Sequence, residues 1–524
     1  MNNRLRRTFA PLATAAVLAV LASGCVFITG INVGGTSISG GQLVDLSADG
    51  RFVLYRTAEA IDPADTNTDW DVYRIDVTND TAVWASARNL GGPGDGAVSA
   101  GGAMSADGRY ITFGSTSTNL VSGDFNGASD VFVYDVSLDS TQRLTDGDAD
   151  SGNPDISGDG QVVVYESAAT DLVVGDTNGT TDVFSWVRSS GTTFRISEQS
   201  FGGQATGASL SPSINNNGTV AVYMSSAADL VPGDTNGAWD IFAAFSTGIT
   251  ARVSKTAGNG QATGGNSRYP EVSGNGSYFA FESDATNLVA GDTNGLRDVF
   301  VKSLTGAIER VSVDSSGTQA TGASRWASIS GDGDAVAFNT EAPELNGNQV
   351  GAVVSVVRDR SADTTTLMHT DIVNNPVGGG FGSLAGAAFA PHMSRDGHYV
   401  AIFDSGASPY PTTPISTAYL RWRSFPTFDS MSPSVVGNNV STTVTITGSG
   451  FLGTASVATN PASPGSDGIF FSNVVVVDDN TTPTPPDVLG APPSTKYVTI
   501  TFESTGPGIN TAALANCQCL TVPN

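Results

Sequence analysis

The stretch Leu46–Thr57 reads "LSADGRFVLYRT", and close copies of it return down the chain. They are "MSADGRYITFGS" at Met104, "ISGDGQVVVYES" at Ile156, "INNNGTVAVYMS" at Ile214, "VSGNGSYFAFES" at Val272, "ISGDGDAVAFNT" at Ile329 and "MSRDGHYVAIFD" at Met393. The seven starts are 58, 52, 58, 58, 57 and 64 residues apart. A period of this size marks a supersecondary unit that is repeated and stacked. Inside each copy a short strand ends in an apolar residue and a polar one, usually serine, and a two-residue Asp-Gly or Asn-Gly turn follows. Those turn residues tolerate the positive φ of tight hairpins. An alternating strand such as Val162-Val163-Val164-Tyr165 comes next.

An acidic loop then leads to a third strand, such as Asp130-Val131-Phe132-Val133-Tyr134. After a hairpin, "TQRLT" (Thr141–Thr145), "TFRIS" (Thr193–Ser197), "TARVS" (Thr250–Ser254) and "IERVS" (Ile308–Ser312) supply fourth strands. Four short β-branched and aromatic strands per period, with no long helical pattern, predict a propeller blade. The expected fold is all-β: a seven-bladed β-propeller over residues 26–424, followed by an immunoglobulin-like β-sandwich over residues 426–524.

The "S-x-DG-x-x-[VI]-x-[FY]-x-S" and "D-V-F-V" phrases resemble the TolB-type (WD-like) propeller repeat of bacterial envelope proteins. The resemblance implies the fold and leaves the activity open, because propellers host many activities. The seventh unit runs out after "TAYLRWRS" (Thr417–Ser424) without a fourth strand. "VFITGINVGGTSISGG" from Val26 aligns with "ERVSVDSSGTQATGAS" from Glu309, so the N-terminal segment is expected to complete that blade and remove both sheet edges. Beyond Pro426 the composition changes. "MSPSVVGNNVSTTVTITGSGF" (Met431–Phe451), "IFFSNVVVVDDNT" and "KYVTITFES" resemble the immunoglobulin-like IPT/TIG domain.

The first residues read as an export signal over 1–24. Arg4, Arg6 and Arg7 precede an apolar run from Phe9 to Ala22, and "LASGC" ends at Cys25. That ending resembles the lipobox of bacterial lipoproteins, which implies that Cys25 is lipidated and that the chain is exported and lipid-anchored to the cell envelope. An ordinary cleavage site with a chance cysteine is the plain alternative. With Asp and Glu outnumbering Lys and Arg 50 to 24, the net charge is −26. Such a surface repels nucleic acid and anionic headgroups, so neither is expected as a partner. Cys517 and Cys519 in "NCQCL" read as a structural pair, joined locally or to another molecule in an oxidising envelope.

The acidic phrase is written five times: "ADTNTDWDVY" from Ala64, "GDFNGASDVF" from Gly123, "GDTNGTTDVF" from Gly175, "GDTNGAWDIF" from Gly233 and "GDTNGLRDVF" from Gly291. It sets side-chain oxygens at fixed spacing on Asp65, Asn67, Asp71; Asp124, Asn126, Asp130; Asp176, Asn178, Asp182; Asp234, Asn236, Asp240; and Asp292, Asn294, Asp298. One reading is calcium, whose shell takes six or more oxygens. Asp171, Asp229 and Asn287, five positions upstream, would then help to complete it. The other reading is architecture, with Asp and Asn accepting backbone N–H groups in Asx turns and the last Asp anchoring the third strand. The architectural reading is preferred.

Catalytic signals are few. His392 and His398 flank the seventh turn, His369 stands alone, and no G-x-S-x-G elbow occurs. Trp239 and Trp326 read as packing residues near a rim or blade interface. The expectation is a monomeric, non-catalytic platform for an envelope protein or glycan. The alternative is a propeller hydrolase or lyase acting on an envelope glycan or lactone, which requires carboxylates converging on the ring axis.

Overall fold

A computed structural model of the chain describes residues 41–200, 202–345, 347, 353–368 and 390–404, with the backbone of short strands on either side. Cys25, His369, Cys517 and the side chain of Cys519 lie outside the described residues. Among the described residues every regular element is a strand. The chain divides into two units: Gly30–His369 with Pro376–Arg423, and Met1–Thr29 with Thr370–Asn375 and Ser424–Asn524.

The larger unit is a β-propeller, in which six blades are each built from four consecutive antiparallel strands. The third blade shows the plan: Ser151–Ile156, Val162–Ser167, Asp182–Val187 and Thr192–Arg195, in that order across the sheet. Its second and third strands pair without interruption and set Tyr165 opposite Phe184. Those rings stack at 5.9 Å, as do Phe113 with Phe132 at 5.7 Å, Tyr223 with Phe242 at 6.2 Å and Phe281 with Phe300 at 5.9 Å. All eight are buried, so this aromatic pair is the core of its blade. A further sheet is ordered Ile28–Gly30, Thr417–Trp422, Tyr399–Asp404, His392–Met393. In the other unit Thr427–Ser432, Thr442–Ser449, Lys496–Ser504 and Ile469–Asp478 form a four-stranded antiparallel sheet, and Ser456–Ala458 pairs with Cys519–Thr521.

The Asp-Gly turns join blade to blade. Within a turn the serine hydroxyl donates to the aspartate, as Ser47 does to Asp49 at 2.7 Å, and accepts the N–H of the next strand, here Phe52 at 2.8 Å. Between turns, backbone bonds run from Ala48 N–H to the carbonyl of Ala106, from Ala106 to Gly158, from Asp159 to Asn216 and from Asn216 to Gly274. They continue from Asn275 to Gly331 and from Gly331 to Arg395, and Asp396 N–H returns to the carbonyl of Ala48. The seven turns therefore form a closed ring of hydrogen bonds. The first strand of each unit packs on that of the next, and His392–Met393 packs on Gln42–Leu46, so these strands surround the axis.

The turn glycine is needed twice. Gly160 has φ +69°, and a Cβ there would lie 2.3 Å from the ring of Tyr110 in the preceding blade. Gly50 (φ +70°) meets Tyr399 in the same way at 2.5 Å, which repeats the contact where the last turn meets the first. Gly331 has an ordinary φ, yet a Cβ on it would come within 2.5 Å of the carbonyl of Arg395. Gly331→Ala is expected to destabilise the propeller by roughly 1–3 kcal/mol, the usual range for overpacking. Gly152→Ala, where a Cβ meets nothing within 4 Å, should stay near wild type. Denaturant unfolding of both variants checks this, and equal stabilities would count against the tight turn ring.

Candidate functional site

The five acidic loops share one geometry. In the second loop Asn126 Oδ1 accepts the N–H of Ala128 at 3.2 Å, while its Nδ2 donates to Asp130 Oδ2 at 3.1 Å and to the carbonyl of Gly147 at 3.0 Å. The other oxygen of Asp130 accepts the Thr145 hydroxyl at 2.6 Å, and that hydroxyl accepts Val131 N–H at 3.0 Å. Ser197 holds Asp182, Ser254 holds Asp240, Ser312 holds Asp298 and Ser86 holds Asp71 in the same way. Asn67, Asn178, Asn236 and Asn294 each accept the N–H two residues on. Each last aspartate thus ties the start of its third strand to the end of its fourth.

The first aspartate of four loops faces an arginine from the fourth strand. Arg143 lies 2.7 Å from Asp124, Arg195 3.6 Å from Asp176, Arg252 3.1 Å from Asp234 and Arg310 3.7 Å from Asp292. Gln204, Gln261 and Gln319 donate to Asp176, Asp234 and Asp292. Burial raises the carboxyl pKa of Asp130, Asp182, Asp240 and Asp298 against the lowering effect of these partners. The upstream residues serve the linkers instead: Asp171 accepts Asp148 N–H, Asp229 accepts Thr206 N–H and Asn287 accepts Thr263 N–H. Among the described residues no three or more His, Cys, Asp or Glu side chains gather to hold a metal.

A second set of polar residues emerges at the ring axis. Immediately before the apolar residue that precedes each turn stand Asp45, Ala103, Asp155, Ser213, Glu271, Ser328 and His392. A register shift in each first strand, such as that between Gly152 and Asp155, comes just before this position in most units. Asp45 accepts Met104 N–H at 2.7 Å and Asp155 accepts Ile214 N–H at 2.8 Å, each from the next blade. Ser213 and Ser328 do the same for Val272 at 3.3 Å and Met393 at 3.0 Å. The carboxylates keep part of their surface open while the first strands enclose them, as befits groups facing a narrow channel.

The turns carry large side chains at one end of the ring. Between serine (asparagine in the fourth unit) and the turn's Asp or Asn the units carry Ala48, Ala106, Gly158, Asn216, Gly274, Gly331 and Arg395. Five small residues leave room for two large ones. Arg395 reaches across the ring to the side chain of Asn216 and, at 3.2 Å, to the carbonyl of Ile156.

Burial pushes Asp45 up to about 7, with Arg395 opposing and Asp155 adding to the shift. Glu271 rises to about 8, through burial first and then through the charges of Asp155 and Asp45. Asp155 is raised by burial against the pull of Arg395. His392, read from sequence as an inert flanking histidine, lies enclosed at this axis, where burial lowers it to about 4 and keeps it neutral.

Toward the other end, Asn153, Ser211, Tyr269 and Trp326 occupy one register position in four successive blades, all with left-handed φ of 45–54°. Glu166 accepts Ser211 N–H at 2.8 Å and Glu282 accepts Trp326 N–H at 3.0 Å, which holds two of these bulges open. Tyr269 is 42% exposed. Trp239, by contrast, packs against the core between the fourth and fifth blades.

No family model matches the chain, and no curated protein matches it. Among solved structures it is similar to oligogalacturonate lyase from Vibrio parahaemolyticus, at 13% identity and TM-score 0.47, over 76% of this chain and 97% of that one. It is also similar to TolB from Acinetobacter baumannii, at 13% identity and TM-score 0.35, over 73% and 78% of the two chains. An oligogalacturonate lyase in complex with manganese aligns at 12% identity and TM-score 0.45, over 76% and 98%. The neighbours are TolB-like and lyase propellers. The fold assignment for this chain rests on its own sheets and turn ring.

Two measurements test the site. Asp298→Ala leaves Ser312, Asn294 and Arg310 without their buried acceptor and should cost about 2–4 kcal/mol in unfolding experiments; a loss under about 0.5 kcal/mol would contradict the anchoring role. At the axis the folded state holds protons that the unfolded chain has released, so stability falls as pH rises toward the folded values of Asp45 and Glu271. Below about pH 6.5 neutral His392 works in the opposite sense, because its folded value is depressed. The melting temperature should therefore drop between about pH 6.5 and 8, and the Asp45→Asn, Glu271→Gln double variant should flatten that drop.

Proposed function

We propose that the chain is a non-catalytic, lipid-anchored protein of the bacterial cell envelope, whose propeller presents its axial face to an envelope glycan or protein. In this reading the propeller has seven blades. His392–Met393, Tyr399–Asp404 and Thr417–Trp422 form the last, with Ile28–Gly30 as its closing strand. Support comes from the strand order of that sheet and from the place of the seventh turn in the closed ring. The strands beyond residue 426 are an immunoglobulin-like module, and Cys25 carries the lipid.

The observation that carries the binding reading is the strained rim of the axis. A left-handed Tyr269 or Trp326 costs about 1–3 kcal/mol, and such strain persists where the surroundings enforce it for use. Aromatic rings beside Asn153 and Ser211 suit a sugar, whose C–H face lies on a ring while its hydroxyls meet polar groups. A second reading, an enzyme acting on the same glycan, is favoured by Asp45 and Glu271, whose raised values suit acid–base work near neutral pH.

Binding of the soluble mature chain to fragments of envelope glycan, followed by calorimetry, tests the proposal. Tyr269→Ala and Trp326→Ala are each expected to weaken binding about tenfold or more, the equivalent of one lost contact of about 1.4 kcal/mol. Unchanged affinity in both variants would overturn the glycan reading. Shortening of the glycan by wild type, halted in Glu271→Gln, would put the enzyme in its place.

A further inference from the structure

The first acidic loop departs from its four sisters in what surrounds its carboxylates. Each sister sets an arginine opposite the third-strand aromatic residue: Arg143 across from Phe132, Arg195 from Phe184, Arg252 from Phe242 and Arg310 from Phe300. That guanidinium meets the first aspartate of the loop in all four. In two of them it also donates to a loop carbonyl, that of Gly123 at 3.2 Å and that of Gly291 at 3.4 Å. In the first blade the same register position holds Trp84, across from Tyr73. Pro93 stands where three sisters carry Gln204, Gln261 and Gln319, so the second donor is missing as well.

The carboxylates themselves have stayed. Asp65 and Asp71 are 7% and 4% exposed, and among the described residues neither forms an ion pair. Neutral donors cover one oxygen of each: the Tyr73 hydroxyl reaches Asp65 Oδ2 at 2.6 Å, and Trp84 Nε1 and the Ser86 hydroxyl reach Asp71 Oδ1 at 2.9 and 2.6 Å. The other two, Asp65 Oδ1 and Asp71 Oδ2, are buried without a hydrogen-bond partner among the described residues. The Ala64 carbonyl occupies the place of the Gly123 and Gly291 carbonyls in the aligned loops.

We infer that the Ala64–Asp71 loop is a site for one hard divalent cation of the calcium class, and that arginine takes the place of that cation in the other four loops. Asp65 Oδ1 and Asp71 Oδ2 are its carboxylate ligands and the Ala64 carbonyl its neutral one. Water completes the shell, as is usual for calcium, whose extracellular sites bind at about 10⁻⁴–10⁻³ M. The inference is independent of what the axial face binds.

Equilibrium dialysis of the full chain against calcium tests it. Wild type should take up one calcium per chain, and its melting temperature should rise with calcium, because the ion binds only the folded loop. Asp65→Asn should lose both effects. Trp84→Arg installs the sister residue, and it should bind no calcium while melting near calcium-loaded wild type. That variant keeps the test sound if Asp65→Asn folds poorly. No saturable uptake by wild type at millimolar calcium, uptake of several ions per chain, or full uptake by Trp84→Arg would each overturn the assignment.

Discussion

A carboxylate taken out of water must be met by hydrogen bonds and an opposite charge, or it will not stay ionised. The blades are arranged around that requirement. In five blades the aspartate that opens the third strand receives a hydroxyl from just past the fourth strand, and in four of them an asparagine amide from the preceding turn, with an arginine close by. Meeting its needs fixes the loop, the strand start and the linker to the next blade in one stroke. The acidic phrase is therefore repeated because the joint is repeated. Where the joint is altered, in the first blade, the carboxylates remain while their compensation changes.

Between blades the connection is of a different kind. Each turn donates a backbone hydrogen bond to a neighbour, and turn glycines accept an aromatic or aliphatic side chain from the adjoining blade. Repeat proteins derive their stability from such nearest-neighbour interfaces. Here the chain of interfaces returns to its start, since Asp396 reaches Ala48 and Tyr399 covers Gly50. Closure leaves no unit with an unsatisfied flank at the axis.

Much of this was legible in the sequence because it is periodic. The Asp-Gly turns, the aromatic at the fourth position of the second strand in six units and the acidic loops recur at near-constant spacing, and repetition separates signal from noise. The arginines in "TQRLT", "TFRIS", "TARVS" and "IERVS" were equally regular, but only the strand register brings them over Asp124, Asp176, Asp234 and Asp292. The axial set was hidden for the opposite reason. Its position reads Asp, Ala, Asp, Ser, Glu, Ser, His down the units, a variation that looks like surface drift along the chain. Ring closure alone makes residues over two hundred positions apart, such as Asp45 and Glu271, feel one another's charge. His392 belongs to that set, while His398, on the other side of the same turn, is exposed.

Arg395 has a consequence for traffic. By reaching from the seventh unit to Asn216 and Ile156, it places a guanidinium across the turn end of the ring. A solute arriving at that end meets this side chain first. Arg395 is also the only fixed positive charge among the described axial groups, close to three acids. A molecule that comes down the axis toward the turns therefore meets acids that hold their protons near neutral pH before it meets a group that is always charged, and hydrogen bonds greet it before charge does.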